Sequence, residues 1–561
     1  MSQKKEERPS ARSGTFAPLR MSVFRNMWLA SLFSNFGLFV LGVGAAWDMT
    51  QMSGSPSMVA LVQTAMMLPV ALFSLASGAI ADMFDRRKVA LIALLVSVAG
   101  AVGLAVLART GHLSPTSMLV LCFVVGSGTA LLWPAWGAAV SEQVSAEVLP
   151  AAVALNGISY NVARSFGPAI GGVIVAAAGG LAAFTTTALF YVPMLLALYL
   201  WKRVSEPSRL PPENFGRAMI SGGRYVLNAP SIRVVIARTL MAALAGSSVS
   251  ALLPLVSRDL LDGNAQLFGF LLGAFGIGSV ICAINLRRLR SRLSNELVVR
   301  IGALGMGVGI VVVAVSRWPV VTALALVLFG FAWTGCMMVL NVTVQMSAPR
   351  WVAARTLAAY QAAVAAGVAL GGWGWGVFAN SYGVDRALLM SAAVLIISPL
   401  FSRWMRVPSE SLLDATSSDM LTDPNIRMPL TPRSGPIVVE IEYRVDPARA
   451  RLFYAVMQRV RSSRLRTGAY GWSIARDIED PELWIERYHC PTWHDYLRQR
   501  NRPTQGERDL HARAMEFHIG PEPARIHRML ERPVGSVRWK DATPDRGQDP
   551  DEELPSPIAS P

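Results

Sequence analysis

Charge is what this chain has least of. Asp, Glu, Lys and Arg make up 16% of the 561 residues, against about 25% in an ordinary soluble protein. The deficit is local: charges are scarce from Phe24 to Met405 and dense after it. That distribution excludes a soluble globule for the first part of the chain and sets a water-exposed tail after it. Cysteine is scarce too, with four residues (Cys122, Cys282, Cys336 and Cys490) and no CxxC pair. A disulfide framework and a thiolate metal site are thereby excluded. The N-terminus, MSQKKEERPSARSGTFAPLR, has no apolar core of signal-peptide length followed by a small-residue cleavage site, and is read as a tail kept in the cytoplasm. The tail histidines His489, His494, His511, His518 and His527 show no HxxxH or HExxH spacing, so they are read as surface residues, and neither a metal nor a cofactor is expected.

What the chain has in abundance is long apolar runs, and a helix needs about twenty such residues to cross a bilayer. Runs of that size lie near 24–47, 57–80, 89–108, 116–140, 151–177, 181–201, 233–256, 265–285, 297–315, 319–344, 354–378 and 385–404. Twelve runs place both ends on one side of the membrane. The gaps after even-numbered runs hold most of the Lys and Arg: Arg86, Arg87 and Lys88, then Lys202 to Arg224, then Arg287 to Arg292, then Arg350 and Arg355. By the positive-inside rule these gaps, and both termini, are cytoplasmic. The net charge of +15 therefore belongs to membrane loops, and no nucleic-acid partner is expected.

The longest gap, Lys202 to Ser231, divides the runs six and six. An internal repeat supports the division: GSPSMVALVQ at Gly54–Gln63 resembles GNAQLFGFLL at Gly263–Leu272, and LAAYQAAVAAGVALGG at Leu357–Gly372 weakly echoes the fifth run. Repeated six-helix halves with a site between them are a common transporter design. From Pro408 a polar, Pro- and Ser-rich linker leads to a small α+β domain. IVVEIEYRV alternates with period two, which puts Val439, Ile441, Tyr443 and Val445 on one face. Leu452, Phe453, Val456 and Val460 follow at helical spacing, two strands flank an Asp-Pro turn, a second helix opens at Trp493, and RAMEFHIG (Arg513–Gly520) reads as a last strand. The order βαββαβ predicts a ferredoxin-like sandwich. The fold class is thus an all-α membrane protein of twelve transmembrane helices in two six-helix bundles, with a small ferredoxin-like domain. The expected divisions are 1–23 (tail), 24–201 (first bundle), 202–232 (linker), 233–406 (second bundle), 407–436 (polar linker), 437–534 (ferredoxin-like domain) and 535–561 (disordered).

Residues that break the apolar pattern are the candidates for function. Arg164 lies near the middle of the fifth run, where a cation costs about 2.5–3.5 kcal/mol to insert, so it is expected to face the bundle interior. It serves either to hold an anionic substrate group or to pair with an acid whose protonation drives coupling, and the bland alternative is a structural ion pair. Asn161 shares its face, with Tyr160 and Asn156 nearby. Asp48 is the candidate coupling acid, although its place after Trp47 and before MTQMSGS fits a residue in water at a helix end better. Asn35, Trp133 and Gln361, with Gln63, Trp136, Trp333, Asn341 and Tyr360, suit a cavity for amphiphilic ligands. At the end of the second run, Gly78 lets backbones approach closely and Asp82 can face a helix N-terminus. Arg86, Arg87 and Lys88, after Asp85, are expected to pair with Glu142, holding one state of the carrier and releasing it on switching; the bland reading is a plain positive-inside cluster. Gly167, Gly171 and Gly172 around Pro168 predict a kinked helix with a flat, close-packing face.

These motifs carry a family resemblance. GAIADMFDRRK, at Gly78–Lys88, is similar to the loop signature of the major facilitator superfamily, and GPAIGG, at Gly167–Gly172, to the fifth-helix motif of its antiporter branch. FRNMWLASLFSNFG, ALNGISYNVARSFGPAIGG and the tail resemble the subfamily, of transmembrane secretion effector type, that contains the enterobactin exporter; some of its members carry this C-terminal extension. The resemblance covers nearly the whole chain. It implies alternating access by rocking of two halves, and export of siderophores, macrolides or other amphiphilic compounds by proton antiport from a bacterial inner membrane. The tail's element order also resembles small monooxygenases of antibiotic biosynthesis. No catalytic set matches it residue by residue, so a dimerising or regulatory module, with homodimer formation through it, is preferred to an enzyme that modifies the substrate. Import of the same substrates is the remaining alternative. The expected partners are the bilayer, a small-molecule substrate and protons.

Overall fold

The computed structural model describes residues 16–145, 147–201, 215–349, 352–408, 424, 426–501 and 504–531. Before the tail the chain forms helices α1 (Ser22–Met52), α2 (Pro56–Met83), α3 (Arg86–Arg109), α4 (Pro115–Ala139), α5 (Leu149–Leu200), α6 (Phe215–Asn228), α7 (Pro230–Leu255), α8 (Ala265–Arg292), α9 (Asn295–Val315), α10 (Pro319–Ser347), α11 (Ala353–Tyr382) and α12 (Val384–Ile397). Among the described residues, 11 helices are long and apolar enough to cross a membrane. Their starts are written in the sequence. Proline stands at the first position of α2 and α4, where its missing N–H costs nothing. The Asp85, Ser114, Asn264 and Ser294 side chains cap α3, α4, α8 and α9 by accepting backbone N–H groups.

The runs expected at 151–177 and 181–201 are two helices, taken together as α5 (52 residues) and separated by a break. Backbone angles at Pro168 are helical, and the break between the two helices falls in the expected gap. It sits at Gly179, whose φ of 72° and ψ of −178° are non-helical; that left-handed φ is one glycine tolerates. The next residue, Gly180, donates its N–H to the carboxylate of Asp48. A side chain at Gly180 would occupy the carboxylate's own space. Asp48 therefore fastens the second part of α5 to α1, a structural role that the sequence reading did not include.

The second compact unit comprises Ile220–Arg233, Gln345–Thr356 and the chain from Glu410 onward. Its core is a four-stranded antiparallel sheet in the order β2-β3-β1-β4, from β1 (Ile437–Arg444), β2 (Tyr470–Arg476), β3 (Leu483–Cys490) and β4 (Ile526–Leu530). Helices α13 (Ala450–Thr467), α14 (Trp493–Asn501) and α15 (Gln505–Met515) complete it. Val439, Ile441, Tyr443 and Val445 all face the core, where they meet Phe453, Met457 and Val460; Leu452, expected there, is exposed. The strand expected at Arg513–Gly520 is not formed: its first residues end α15, His518 makes only an isolated bridge to Val445, and the last strand is Ile526–Leu530. Thr504 and Glu507 form a reciprocal capping box that starts α15, and the helix runs on through Arg513–Met515. Part of the expected linker also belongs here. Tyr225 of α6 is buried, with the charges of Arg466 and Glu507 beside it.

One tail histidine departs from the surface reading. Burial, and after it the charges of Arg464 and Arg466, hold the His511 imidazole well below the usual 6.5. The folded domain keeps it neutral while the unfolded chain binds a proton. Its contribution to stability is therefore whole above the unfolded value and lost as pH falls below about 6.5, at up to about 1.4 kcal/mol per pH unit. Thermal unfolding of the tail in the full chain should move to lower temperature between pH 7.5 and 5.5, and His511→Gln should flatten that dependence.

Candidate functional site

Between the two groups of membrane helices lies a cavity of about 1020 Å³. Arg164, Asn161, Asn35, Trp133 and Gln361 all line it, as do Gln63, Trp136, Trp333, Asn341 and Tyr360. Arg164 reaches from α5 across to the other half: its Nη2 donates to Ser279 Oγ of α8 at 3.0 Å and to Thr334 Oγ1 of α10 at 3.3 Å. Its guanidinium also lies 5.0 Å from the centre of the Phe275 ring. Among the described residues no carboxylate is within ion-pair distance, so the pairing acid is missing from this arrangement. Asn161 turns back to its own helix, donating to Gly157 O at 2.8 Å. Asn35 ties α1 to α5 through Ser159 Oγ at 3.3 Å. Trp133 packs edge-on against Tyr160 at 5.9 Å, and Tyr360 donates to Met337 O at 2.7 Å.

The two ends of the cavity are packed differently. At the end formed by Met52, Pro56 and Tyr382 the halves touch across the seam. Trp47 stacks on Phe268 at 6.3 Å, Ser55 Oγ donates to Asn380 Oδ1 at 3.0 Å, and Arg258 Nη1 donates to Thr50 O. A Cβ on Gly172 would lie 2.7 Å from Gly269 Cα, and one on Gly376 would lie 3.1 Å from Ser57 Cα. Thr64 Oγ1 reaches Ala369 O at 2.8 Å, and farther along the same pair of helices Ser74 Oγ lies 3.5 Å from Ala358 O. Toward the end carrying Arg86–Lys88, Gly137 and Gly157 line the cavity, and no heavy atom of the described residues lies within 4 Å of where a Cβ would stand at either or at Gly78. Among the described residues none packs closely on Gly78, where the sequence predicts a close approach.

The remaining candidates lie within single halves. Arg86 Nη1 is 2.9 Å from Glu142 Oε1, a half-buried pair joining α3 to the turn after α4. Arg87 donates to Leu198 O at 2.9 Å and to Tyr199 O, the last carbonyls of α5, where a cation meets the negative end of a helix dipole. Asp85 caps α3 through Arg87 and Lys88 N–H. The Asp82 side chain lies outside the described residues. Gly167 and Gly171 seat α5 on Phe39 and Val40 of α1, while Gly172 meets α8. Arg258 and a second network, in which Glu296 takes Arg300 Nε at 2.9 Å, Val407 N at 2.8 Å and Arg238 at 3.7 Å, had no place in the sequence reading. Arg258, Glu296 and Arg300 were legible as charges at the ends of apolar runs, and Arg238 as a cation inside one.

Comparison with known proteins agrees with this architecture. Residues 13–534 match the model of a family described as transmembrane secretion effector. The chain is similar to the staphyloferrin A transporter of Staphylococcus aureus, at 26% identity, over 46% of this chain and 66% of that protein. It is similar to the multidrug efflux pump Tap of Mycolicibacterium fortuitum at 25%, over 58% and 82%. With the enterobactin exporter EntS of Salmonella paratyphi A it shares 26%, over 55% and 74%. Among solved structures, the D-xylose-proton symporter superposes with a TM-score of 0.57 at 13% identity, covering 69% of this chain and 98% of that one. A bacterial homologue of the human lysosomal transporter Spinster, in an inward-facing and unoccupied conformation, gives 0.56 at 12%, covering 69% and 98%. At such identities the superpositions speak for the fold alone.

Proposed function

Since the chain belongs to the transmembrane secretion effector family of the major facilitator superfamily, we propose that this membrane transporter exports amphiphilic small molecules from the bacterial cytoplasm by alternating access. Taking the Gly179 break as a turn between two spans gives twelve transmembrane helices in two bundles of six. The Lys- and Arg-rich gaps put both chain ends, and the tail, in the cytoplasm. The strand order β2-β3-β1-β4 supports a ferredoxin-like tail.

The observation that carries the reading is the uneven seam. One end of the cavity is crossed by direct contacts of α1 and α2 with the second group of helices, and the cavity continues toward the other end past Gly137, Val140, Val153 and Leu286. A carrier open to the cytoplasm, with its outer end closed, has this form. On switching, Gly78, with Asp82 and the Arg86–Glu142 pair beside it, would meet the opposite bundle while the Gly172–Gly269 contact opens. The efflux pumps among its relatives favour export over import. Coupling to protons would run through Asp48, the carboxylate that joins α1 to α5 near the closed end.

Inverted vesicles test both parts. A fluorescent amphiphile should accumulate in vesicles that contain the protein and not in empty ones, and an acid lumen should drive it. Flux indifferent to the pH gradient would remove the antiport and leave the export.

The outer closure makes a separate prediction. Arg258→Ala removes a charge-assisted hydrogen bond between bundles, worth about 1 kcal/mol at this half-exposed position, or roughly a fivefold shift in the ratio of conformers. A cysteine at Ser250, which lines the cavity, should then react several times faster with an impermeant maleimide added outside. The four native cysteines are buried and give little background.

A further inference from the structure

The described residues put a single charge in the cavity. Among the described residues that line it, Arg164 is the only ionisable side chain of either sign apart from tyrosines; the rest are amides, hydroxyls, aliphatics and aromatics. Of the five N–H donors of a guanidinium, those on Nη2 meet two neutral hydroxyls, and none of the described residues supplies an acceptor to Nε or Nη1. A buried cation without a counter-ion is costly, and the cost is removed when an anion enters. Aromatic rings stand on both sides of it. In the first bundle Phe39 and Trp133 pack on Tyr160 at 5.6 and 5.9 Å. In the second, Phe275 packs on Phe329 at 5.7 Å, and Phe329 on Trp333 at 6.0 Å.

We infer that the cavity selects aromatic monoanions, seating a carboxylate-type group on Arg164 and the ring system between the two aromatic clusters. A planar guanidinium offers such a group two parallel N–H donors, and rings flanking the site give flat apolar surface at low entropic cost. A cationic amphiphile would meet repulsion from the one charge present and find no acid to hold it. Arg164 is also bonded to α8 and α10 of the opposite bundle, so an anion placed there contacts both moving halves at the centre of the seam. The inference rests on the export reading only in taking this cavity as the substrate site.

Calorimetry on the full chain in lipid nanodiscs tests it with three probes of one shape: anthraquinone-2-carboxylate, its carboxamide, and the aminomethyl analogue. The carboxylate should bind at least about tenfold tighter than the carboxamide, and the amine weakest. Arg164→Gln should bring the carboxylate to the carboxamide's affinity, and binding of the carboxamide that persists shows that the cavity has kept its form. Arg164→Lys should keep part of the preference, because the charge remains and the paired geometry is lost. Equal affinity for the three probes in the parent protein, or a preference that survives Arg164→Gln, overturns the inference, and the first result needs no variant to fold. Selective anion binding without flux of any probe would sustain it and fail the export reading instead. Flux with no preference for the carboxylate would do the reverse.

Discussion

Leucine in place of Gly172 is expected to reduce transport by at least about a hundredfold while the chain still inserts and folds. A Cβ at Gly172 would stand 2.7 Å from Gly269 Cα and 2.8 Å from Ala265 O. Both are backbone atoms of α8 in the opposite bundle, and they cannot turn aside as the end of a side chain can. Overpacking of a core costs about 1–3 kcal/mol even where side chains adjust, and here the backbones themselves must part. The cost falls on one conformer only, the one in which α5 and α8 touch. A bias of about 3 kcal/mol shifts a two-state equilibrium more than a hundredfold, so the carrier would be held open at the end that is closed here. Reactivity of a cysteine at Ser250 toward an outside maleimide should rise as transport falls. Gly374→Leu is the control, because no heavy atom lies within 4 Å of a Cβ there. Normal transport in Gly172→Leu would mean that the α5–α8 contact is not part of the cycle.

What the sequence could reveal of the membrane part follows from the physics of the bilayer. Long apolar runs betray spanning helices because lipid admits little else, and the capping residues Asp85, Ser114, Asn264 and Ser294 mark where they begin. Arg164 stands out because a lone cation in such a run is costly. Its partners do not, since Ser279 and Thr334 lie more than a hundred residues away and a hydroxyl in a helix has no sequence signature. The same holds for Gly172 against Gly269: each is a small residue in a helix until the pairing of α5 with α8 is known. Asp48 shows the opposite limit. Its neighbours in sequence suggest a residue in water, whereas its partner is Gly180, far along the chain.

In the tail, β1 is legible because a strand buried on one face must alternate. β4 is not: its residues Ile526, His527, Arg528 and Met529 are exposed and alternate little, as edge strands can. The start of α15 has a sequence signal, the Thr504–Glu507 capping box, that the reading of Arg513–Gly520 as a strand left out. The burial of Tyr225 on α6 was beyond local reading, because the linker residue packs with a domain that follows it by more than two hundred positions.

Glu486→Leu should have the largest effect on the stability of the tail. The Glu486 side chain is wholly buried in β3, and every neighbour that reaches it donates: Tyr443 Oη at 3.0 Å, Trp472 Nε1 at 3.0 Å and Arg464 Nε at 3.1 Å. Removing the carboxylate leaves a nearly buried guanidinium and two donors without an acceptor. Breaking one side of such a pair costs about 3–5 kcal/mol, a large part of the 5–15 kcal/mol that holds a typical domain. For a domain of this size each kcal/mol is worth about 4–8 °C, so the tail's transition in the full chain should fall by about 15 °C or more, with earlier proteolysis after Ile437. Glu486→Leu combined with Arg464→Met removes both charges and should recover most of the loss, because an apolar pair of similar volume has no charge to bury. If the single replacement leaves the transition within a degree or two, the buried ion pair is not what holds this sheet to α13.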